Sequence, residues 1–388
     1  MALLNYNKIY LILATLVSTN LFYGFLPKPA LLFIGGMLLL LSSIACGNKI
    51  TKISSNFTKI SFGVIFIVAI TAIVGSLFFY FNYLGNIATI TILFIIFLKS
   101  RGFDIKKIFS KQSSKANIPQ LTYYTTAGLL IVTAYQLKSI KIIQSPWEIL
   151  PDFFLPLFFV TTLVLILLLH KKIDKVALGL HFFIFFSITA FVYSLGYGFD
   201  QFIHEATQKY ILISETITPK PFQYIGLYSI NIFLHKLTAL PIEILNKFLL
   251  PILMIFSAPI IFYTAKKSKL INHPIPTLSL LLLPLSYFIV TTPQGLANLL
   301  LLILIFCPKT KLRPILTSAI LFIHPLTGII ALTYLIIQKL RFKKTVMILG
   351  IIALPLAFIF LSYKLTGGLG LNFKFFSAFQ DYFKLLIF

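Results

Sequence analysis

Long apolar stretches separated by short polar turns run through most of the chain. A helix needs about 20 apolar residues to cross the hydrocarbon core of a bilayer, and shorter helices cross only inside a bundle. By this criterion the sequence predicts an all-α, polytopic transmembrane helix bundle of about 13 spans, with 11–14 as the range. The predicted spans are residues 8–26, 30–46, 60–81, 85–98, 121–138, 152–169, 176–196, 247–265, 275–292, 294–307, 314–324, 326–338 and 345–362.

The composition agrees with a membrane protein. Of the 388 residues, 59% are hydrophobic and 11% are charged, whereas a soluble chain carries roughly a quarter charged residues. A net charge of +24 is also typical of nucleic-acid-binding proteins. Here, however, the lysines lie in short runs between apolar stretches, which is the pattern that orients a membrane protein. We therefore expect membrane lipid and no nucleic acid as a partner, and the sequence leaves the oligomeric state open.

The basic runs also predict the orientation. When the N-terminus is placed in the cytoplasm, most of the 33 lysine and arginine residues fall on the cytoplasmic side, including those of the 99–120 linker and the 266–274 loop. This distribution obeys the positive-inside rule. Most of the nine acidic residues fall on the other side, and because acids contribute little to topology, their position asks for a functional explanation. The expected localisation is the plasma (inner) membrane, as a multi-pass protein.

The predicted spans divide into two groups. Residues 1–175 form an N-terminal accessory transmembrane bundle of about six spans, which carries nothing that resembles a site. Residues 176–388 form a second transmembrane module, with one long outer loop at 197–245 that holds most of the unusual polar residues. The C-terminal tail, 372–388, is aromatic and amphipathic, and it is read either as an interfacial helix or as the point where a longer chain was cut.

The first part of the outer loop predicts an amphipathic helix. When residues 200–213 are wound as a helix, one side is polar and the opposite side is apolar. The polar side holds Asp200, His204, Thr207 and Gln208, continued by Gln201, Glu205 and Lys209, and the apolar side holds Phe202, Ile203, Ala206, Tyr210 and Ile213. This pattern is typical of a helix that lies parallel to the membrane surface. A second half-apolar helix is predicted from residue 222 to 238, closed by Pro241.

This loop resembles the C-type glycosyltransferase superfamily. A carboxylate directly after an outward-running span, in the sequence FDQFIHE at 199–205, is followed by amphipathic helices before the next span. The stretches TTPQGLANLL at 291–300 and HPLTGI at 324–329 also resemble bacterial members. The resemblance covers roughly residues 176–362. It implies a polytopic enzyme that takes a sugar from a polyprenyl-phosphate carrier and passes it to an acceptor outside the cytoplasm.

The resemblance also implies roles for individual residues. Asp200 stands at the position of the family's essential carboxylate and is the expected catalytic residue, since a positioned carboxylate can take the proton of an acceptor hydroxyl. The expected substrate-binding residues are His204, Glu205, Lys209, Lys220 and His324. His324 lies within an apolar stretch, where a histidine either packs in the bundle or lines a cavity. We expect no cofactor; a divalent metal ion held by Asp200, His204 and Glu205 is the alternative.

The chain departs from the family pattern in two respects. The matching span is the seventh rather than the first, and no arginine faces outward to hold the lipid phosphate. Lys209, Lys220 or Lys236 would have to substitute for that arginine, each as a point charge.

Three other classes of function remain open at this point. A transporter or flippase of lipid-linked or small polar substrates usually has broken helices at mid-membrane in paired halves. A surface-polysaccharide polymerase or ligase would have a similar topology with a different key loop. A scaffold without chemistry is the fourth possibility.

Overall fold

The computed structural model describes residues 6–51, 55–81, 83–103, 117–137, 139, 143, 145–221, 223–282, 288–307 and 312–339. The predicted span at 345–362, the tail at 372–388 and most of the 99–120 linker lie outside these residues. Thirteen α-helices occupy the described part of the chain. They are α1 (Tyr6–Tyr23), α2 (Lys28–Ile50), α3 (Asn56–Phe81), α4 (Asn86–Ser100), α5 (Ile118–Gln136), α6 (Phe154–Lys171), α7 (Lys175–Val192), α8 (Phe199–Ser214), α9 (Ile225–Thr238), α10 (Ile242–Lys267), α11 (Pro293–Phe306), α12 (Leu312–Ile323) and α13 (Pro325–Lys339).

The all-α prediction is confirmed for the described residues, which contain no β-strand beyond one isolated bridge between Ser139 and Tyr193. Among these residues, five helices are long and apolar enough to cross a membrane, namely α2, α3, α6, α7 and α10. Shorter apolar helices are α4, α11, α12 and α13. These lengths and compositions are those of a membrane protein. The count of thirteen spans and their direction stay predictions.

Two predicted boundaries need correction. The interval predicted as a span at 275–292 begins as a 3-10 helix, Ile275–Leu282, rather than an α-helix. Pro274 and Pro276 flank its first residue, and proline lacks the N–H that an α-helical bond would need. In addition, α10 begins at Ile242, five residues before the predicted span at 247. Its first turn therefore belongs to the segment that was predicted as the end of the outer loop.

Helix α3 lies at the centre of the bundle and packs against α2, α9, α10 and α12. The close approach of α3 to α2 depends on glycines, as is common between membrane helices. A Cβ atom on Gly63 of α3 would overlap the carbonyl oxygen of Ser43 of α2, and one on Gly47 would overlap that of Lys59. Because α3 comes from the first 175 residues and α9 to α12 from the remainder, helices from both predicted modules share one core. The division at 175 stays a prediction.

Helices α8 and α9 are held between the longer helices. Helix α9 packs on α2 and α3, and α8 packs on α9 and α10. Gly35 of α2 makes the contact with α9 close, because a Cβ there would overlap the carbonyl oxygen of Leu237. The described residues up to Ala331 form one compact unit, and 332–339 belong to a second. All the residues discussed below belong to the first unit.

Candidate functional site

Helix α8 begins where the sequence predicts it. The predicted helix at 200–213 is confirmed by a helix from Phe199 to Ser214, and the predicted second helix is α9. Gly198 precedes α8 with φ +79°, a conformation that glycine adopts without strain. At the other end the chain leaves the helix through Glu215 with φ +59°. The predicted orientation of α8 parallel to the membrane stays a prediction.

Part of the polar side of α8 faces the protein, whereas Asp200 and Lys209 of the same side are exposed. The residues of α8 that are buried are Gln201, His204, Gln208 and Ile211. Its large apolar residues are exposed, namely Phe199, Phe202, Ile203, Tyr210 and Ile213. Buried polar groups need hydrogen-bond partners, so the polar stripe has to be satisfied by side chains of neighbouring helices. The apolar side has the character of a surface in contact with lipid.

Three fully buried carboxamides meet behind α8. Asn231 of α9 donates through Nδ2 to Gln208 Oε1 at 2.9 Å and to Asn246 Oδ1 at 2.7 Å. Gln208 Nε2 donates to the same Asn246 oxygen at 3.2 Å. All three side chains are 0% exposed. We call them the carboxamide cluster; it joins α8, α9 and α10 by neutral hydrogen bonds, which are costly to break when buried.

One turn earlier on α8, His204 is fixed by two tyrosines. Its Nδ1 lies 2.8 Å from the Tyr228 hydroxyl, and its ring meets Tyr224 edge-on at 5.1 Å between centroids. Burial lowers the pKa of His204, against a smaller opposing effect of the Asp200 charge. Burial also raises the pKa of Tyr228. The pair is therefore a neutral imidazole and a protonated phenol at neutral pH.

Tyr224 links His204 to His324. The ring of His324 stacks on Tyr224 with centroids 5.8 Å apart and an interplanar angle of 17°. Tyr224 has φ +73°, a strained conformation for a residue with a large side chain. Such strain is found at functional sites and persists only where the surrounding contacts enforce it.

The His324 ring is held in turn by Thr327 and Asn298. His324 Nδ1 lies 2.9 Å from Thr327 Oγ1, and Thr327 Oγ1 donates to Asn298 Oδ1 at 3.5 Å. Asn298 belongs to the TTPQGLANLL stretch and His324 to the HPLTGI stretch. The two stretches, which are far apart in sequence, therefore meet at the same place as α8. We call the row His204, Tyr224, His324, Thr327 and Asn298 the imidazole row.

The predicted site residues fall in three different places. Asp200 lies in the first turn of α8, exposed, and its charge acts on His204 one turn further along. Within the described part of the chain, no cation forms an ion pair with Asp200. His204 and His324 belong to the imidazole row. The other three predicted residues, Glu205, Lys209 and Lys220, contact neither Asp200 nor the imidazole row in the hydrogen bonds and ion pairs of the described residues.

The lysines predicted to hold a phosphate are each engaged elsewhere. Lys209 pairs with Glu205 at 2.8 Å and with Glu243 of α10, and the hydrogen bonds to these carboxylates raise its pKa. Lys220 donates to the Tyr80 carbonyl at 3.0 Å. Lys236 donates to Asn86 Oδ1 at 2.9 Å, and burial lowers its pKa. Lys209 thus ties α8 to α10, Lys220 ties the loop after α8 to α3, and Lys236 ties α9 to α4.

Sequence reasoning did not single out Tyr224, Tyr228, Asn231, Asn246 or Asn298 as site residues. A signal for the three asparagines was available, because a carboxamide inside an apolar helix of a membrane protein usually faces a partner in the bundle. Nothing in the sequence, however, shows which amides meet. Among the residues that the structure describes, no three histidine, cysteine, aspartate or glutamate side chains lie close enough to hold a metal ion.

The chain matches no protein-family model, no curated protein and no solved structure. The structure alone therefore defines the class of protein, which is an all-helical bundle with helices apolar and long enough for a membrane.

Proposed function

We propose that the protein is a membrane-embedded glycosyltransferase, which moves a sugar from a polyprenyl-phosphate carrier to an acceptor on the outer face of the plasma membrane. The observation that carries this proposal is the position of Asp200. It is an exposed carboxylate in the first turn of α8, the helix that follows α7 in the chain, and its charge acts on the ring of His204. An exposed carboxylate with no ion-pair partner among the described residues is free to accept a proton from an acceptor hydroxyl.

The proposed reaction is a direct displacement with inversion. Asp200 accepts the proton of an acceptor hydroxyl as the oxygen bonds to the anomeric carbon of the sugar. The bond from that carbon to the phosphate oxygen breaks, and the carrier phosphate leaves with the electron pair. A general base of this kind contributes about 10²–10⁴-fold to the rate. The imidazole row supplies neutral donors and acceptors of the kind that bind sugar hydroxyls.

The exposed apolar side of α8 also supports the proposal. A lipid-linked donor keeps its tail in the bilayer while its head group reaches the site. Helix α8 follows one spanning helix and precedes another in the chain. Its apolar outer surface and polar inner surface provide a boundary between the lipid tail and the site that the head group reaches.

The test is a transfer assay with the purified, full-length protein in lipid nanodiscs. A radiolabelled sugar on a polyprenyl-phosphate carrier is supplied, and formation of carrier phosphate and of glycosylated acceptor is followed together. Product formation that needs the protein supports the proposal. Absence of both products across a panel of lipid-linked sugars rejects it.

A transporter is the second candidate, and one observation favours it. Helix α10 contains Pro251 and Pro259 in its buried middle, and a 3-10 segment, Ile275–Leu282, follows it. The helix is continuous through both prolines, but prolines inside a membrane helix mark positions where transporter helices are often broken. Protein-dependent movement of an intact lipid-linked sugar across liposomes, without any cleavage of the carrier bond, would replace the enzyme proposal with this one.

The proposed orientation predicts which loop an impermeant reagent reaches. Thr218→Cys, between α8 and α9, and Ser268→Cys, after α10, are matched variants because both residues carry a hydroxyl and both are exposed. The native cysteines, Cys46 and Cys307, are buried. In intact cells a membrane-impermeant maleimide is expected to label the 218 variant only, whereas both react after lysis. Labelling of the 268 variant alone in intact cells would show that the topology is the inverse of the proposed one.

A further inference from the structure

Lysines from several helices meet at the end of the bundle where α7 begins and α10 ends. Lys175, the first residue of α7, donates through Nζ to Thr58 Oγ1 in the first turn of α3 at 3.0 Å. The charge of Lys266, in the last turn of α10, acts on Lys175. We use the name lysine surface for the cationic residues at these helix ends, which are Lys171, Lys175, Lys266, Lys267 and Lys269.

No carboxylate neutralises the lysine surface within the described part of the chain. The three ion pairs found there lie around α8 and α9. Asp174 precedes Lys175 in the chain, but it is buried. Its carboxylate accepts from Gln120, from Tyr124 and from two backbone N–H groups of the first turn of α7. Like charges without a counter-charge repel each other, so an anion at this surface would remove an unfavourable interaction.

The two ammonium groups that act on each other have donors to spare. An ammonium group carries three N–H donors, and Lys175 uses one of them on Thr58. The described residues supply no hydrogen-bond acceptor for the other two. Lys266 is exposed, and its Nζ lies 5.9 Å from the centre of the Phe262 ring one turn earlier. Its side chain therefore folds back along α10, and a ligand on the open surface can reach it.

Apolar side chains are exposed beside these lysines. Ile173 is 41% exposed, Val176 is 42% exposed and Leu270 is 66% exposed. A surface of this kind fits a membrane interface, where apolar side chains enter the acyl region and lysine ammonium groups extend to the lipid phosphates. A nucleic acid or an acidic protein would satisfy the lysines only. The exposed apolar side chains thus favour lipid as the partner.

We propose that the lysine surface binds the head group of an anionic phospholipid, whose phosphate is contacted by Lys175 and Lys266. The predicted orientation places this end of the bundle at the cytoplasmic leaflet, where anionic head groups attract lysines close to the membrane. The surface is open, so the head group needs no cavity. The site involves neither a sugar nor a transfer step, and it therefore goes beyond the proposed function.

The experiment uses the full-length protein in a maltoside detergent, which contains no phosphate. Dioctanoyl phosphatidylglycerol, dioctanoyl phosphatidylcholine and inorganic phosphate are titrated in separate arms. Native mass spectrometry counts the bound molecules, and the melting temperature is followed in parallel. We expect saturable binding of phosphatidylglycerol with a rise in melting temperature, and weaker binding of phosphatidylcholine, which has no net charge. Equal binding of the two lipids, binding of inorganic phosphate as tight as that of phosphatidylglycerol, or no binding in any arm would overturn the proposal.

Lys266→Gln and Lys267→Gln are the matched variants. Both residues are exposed at the end of α10, and both variants lose one charge, but it is the charge of Lys266 that acts on Lys175. We expect about fivefold weaker binding of phosphatidylglycerol for Lys266→Gln and a smaller loss for Lys267→Gln. Equal losses would show that the lipid responds only to net charge and would reject the assigned pair.

Lys175→Gln tests the second member of the pair. The same loss of about fivefold is expected, because one charge next to the phosphate is removed. This variant also loses the bond to Thr58, so its melting temperature without lipid shows whether it folds. If it does not fold, the comparison of the Lys266 and Lys267 variants still decides. Wild-type affinity in a folded Lys175→Gln variant would contradict the assignment.

Discussion

Replacement of Asp200 with asparagine is expected to abolish sugar transfer from a polyprenyl-phosphate donor, with a loss of about 10²–10⁴-fold. Asparagine keeps the shape and the hydrogen-bonding reach of aspartate but cannot accept the proton. The side chain is exposed, so its replacement removes no buried contact, and expression and melting temperature should stay near those of the wild type. The measurement is the initial rate of carrier-phosphate release in nanodiscs.

Glu205→Gln is the matched control for that experiment. Glu205 lies on the same helix, but its carboxylate is already paired with Lys209 at 2.8 Å, and exposed pairs of this kind contribute little to stability. A smaller loss of activity is therefore expected than for Asp200. Full activity of the Asp200 variant, or a requirement for Glu205 or His324 alone, would show that the base has been assigned wrongly.

Gly35→Ala is expected to destabilise the protein, although it adds one methyl group. The new Cβ would overlap the carbonyl oxygen of Leu237, and because a backbone atom of α9 cannot rotate away, α2 and α9 must separate. Overpacking of this kind costs about 1–3 kcal/mol and occasionally more. The prediction is a lower melting temperature in detergent. It is measured with a thiol-reactive dye, which reacts with the two buried cysteines when the protein unfolds.

The neighbouring glycine supplies the control. Gly36 is exposed, and a Cβ there meets nothing within 4 Å. Gly36→Ala should therefore be neutral or stabilising by up to about 1 kcal/mol, through the higher helix propensity of alanine. Equal melting temperatures for the two variants would mean that α2 and α9 do not pack as closely as described.

The sequence was a good guide to where helices lie and a poor guide to what they contact. The polar and apolar sides of residues 200–213 follow from helical periodicity, and α8 has the predicted extent within one residue at each end. Periodicity shows which side chains share a face, but it does not show whether that face meets water or protein. The burial of His204 and Gln208 therefore could not be predicted from periodicity and is visible only in the tertiary structure. The 3-10 helix, Ile275–Leu282, differs from the predicted α-helix because apolar composition does not determine the backbone conformation.

The sequence was enough to predict the unusual polar residues of the candidate site, but not the residues that they contact. Asp200, His204 and His324 are rare polar residues in an apolar chain, and this rarity is visible in the sequence. Their neighbours come from distant segments, as Tyr224 does for both histidines. The engagement of Lys209 with Glu243 is likewise a long-range contact, which no local pattern contains.

The carboxamide cluster has a consequence for the conditions under which α8 stays in place. Gln208, Asn231 and Asn246 carry no charge, and carboxamides do not titrate in the range where proteins are stable. A membrane potential does work only on charge, and salt screens only charge. The attachment of α8 to α9 and α10 through these three side chains should thus be the same in an energised and a de-energised membrane, and in acidic and alkaline surroundings at any ionic strength.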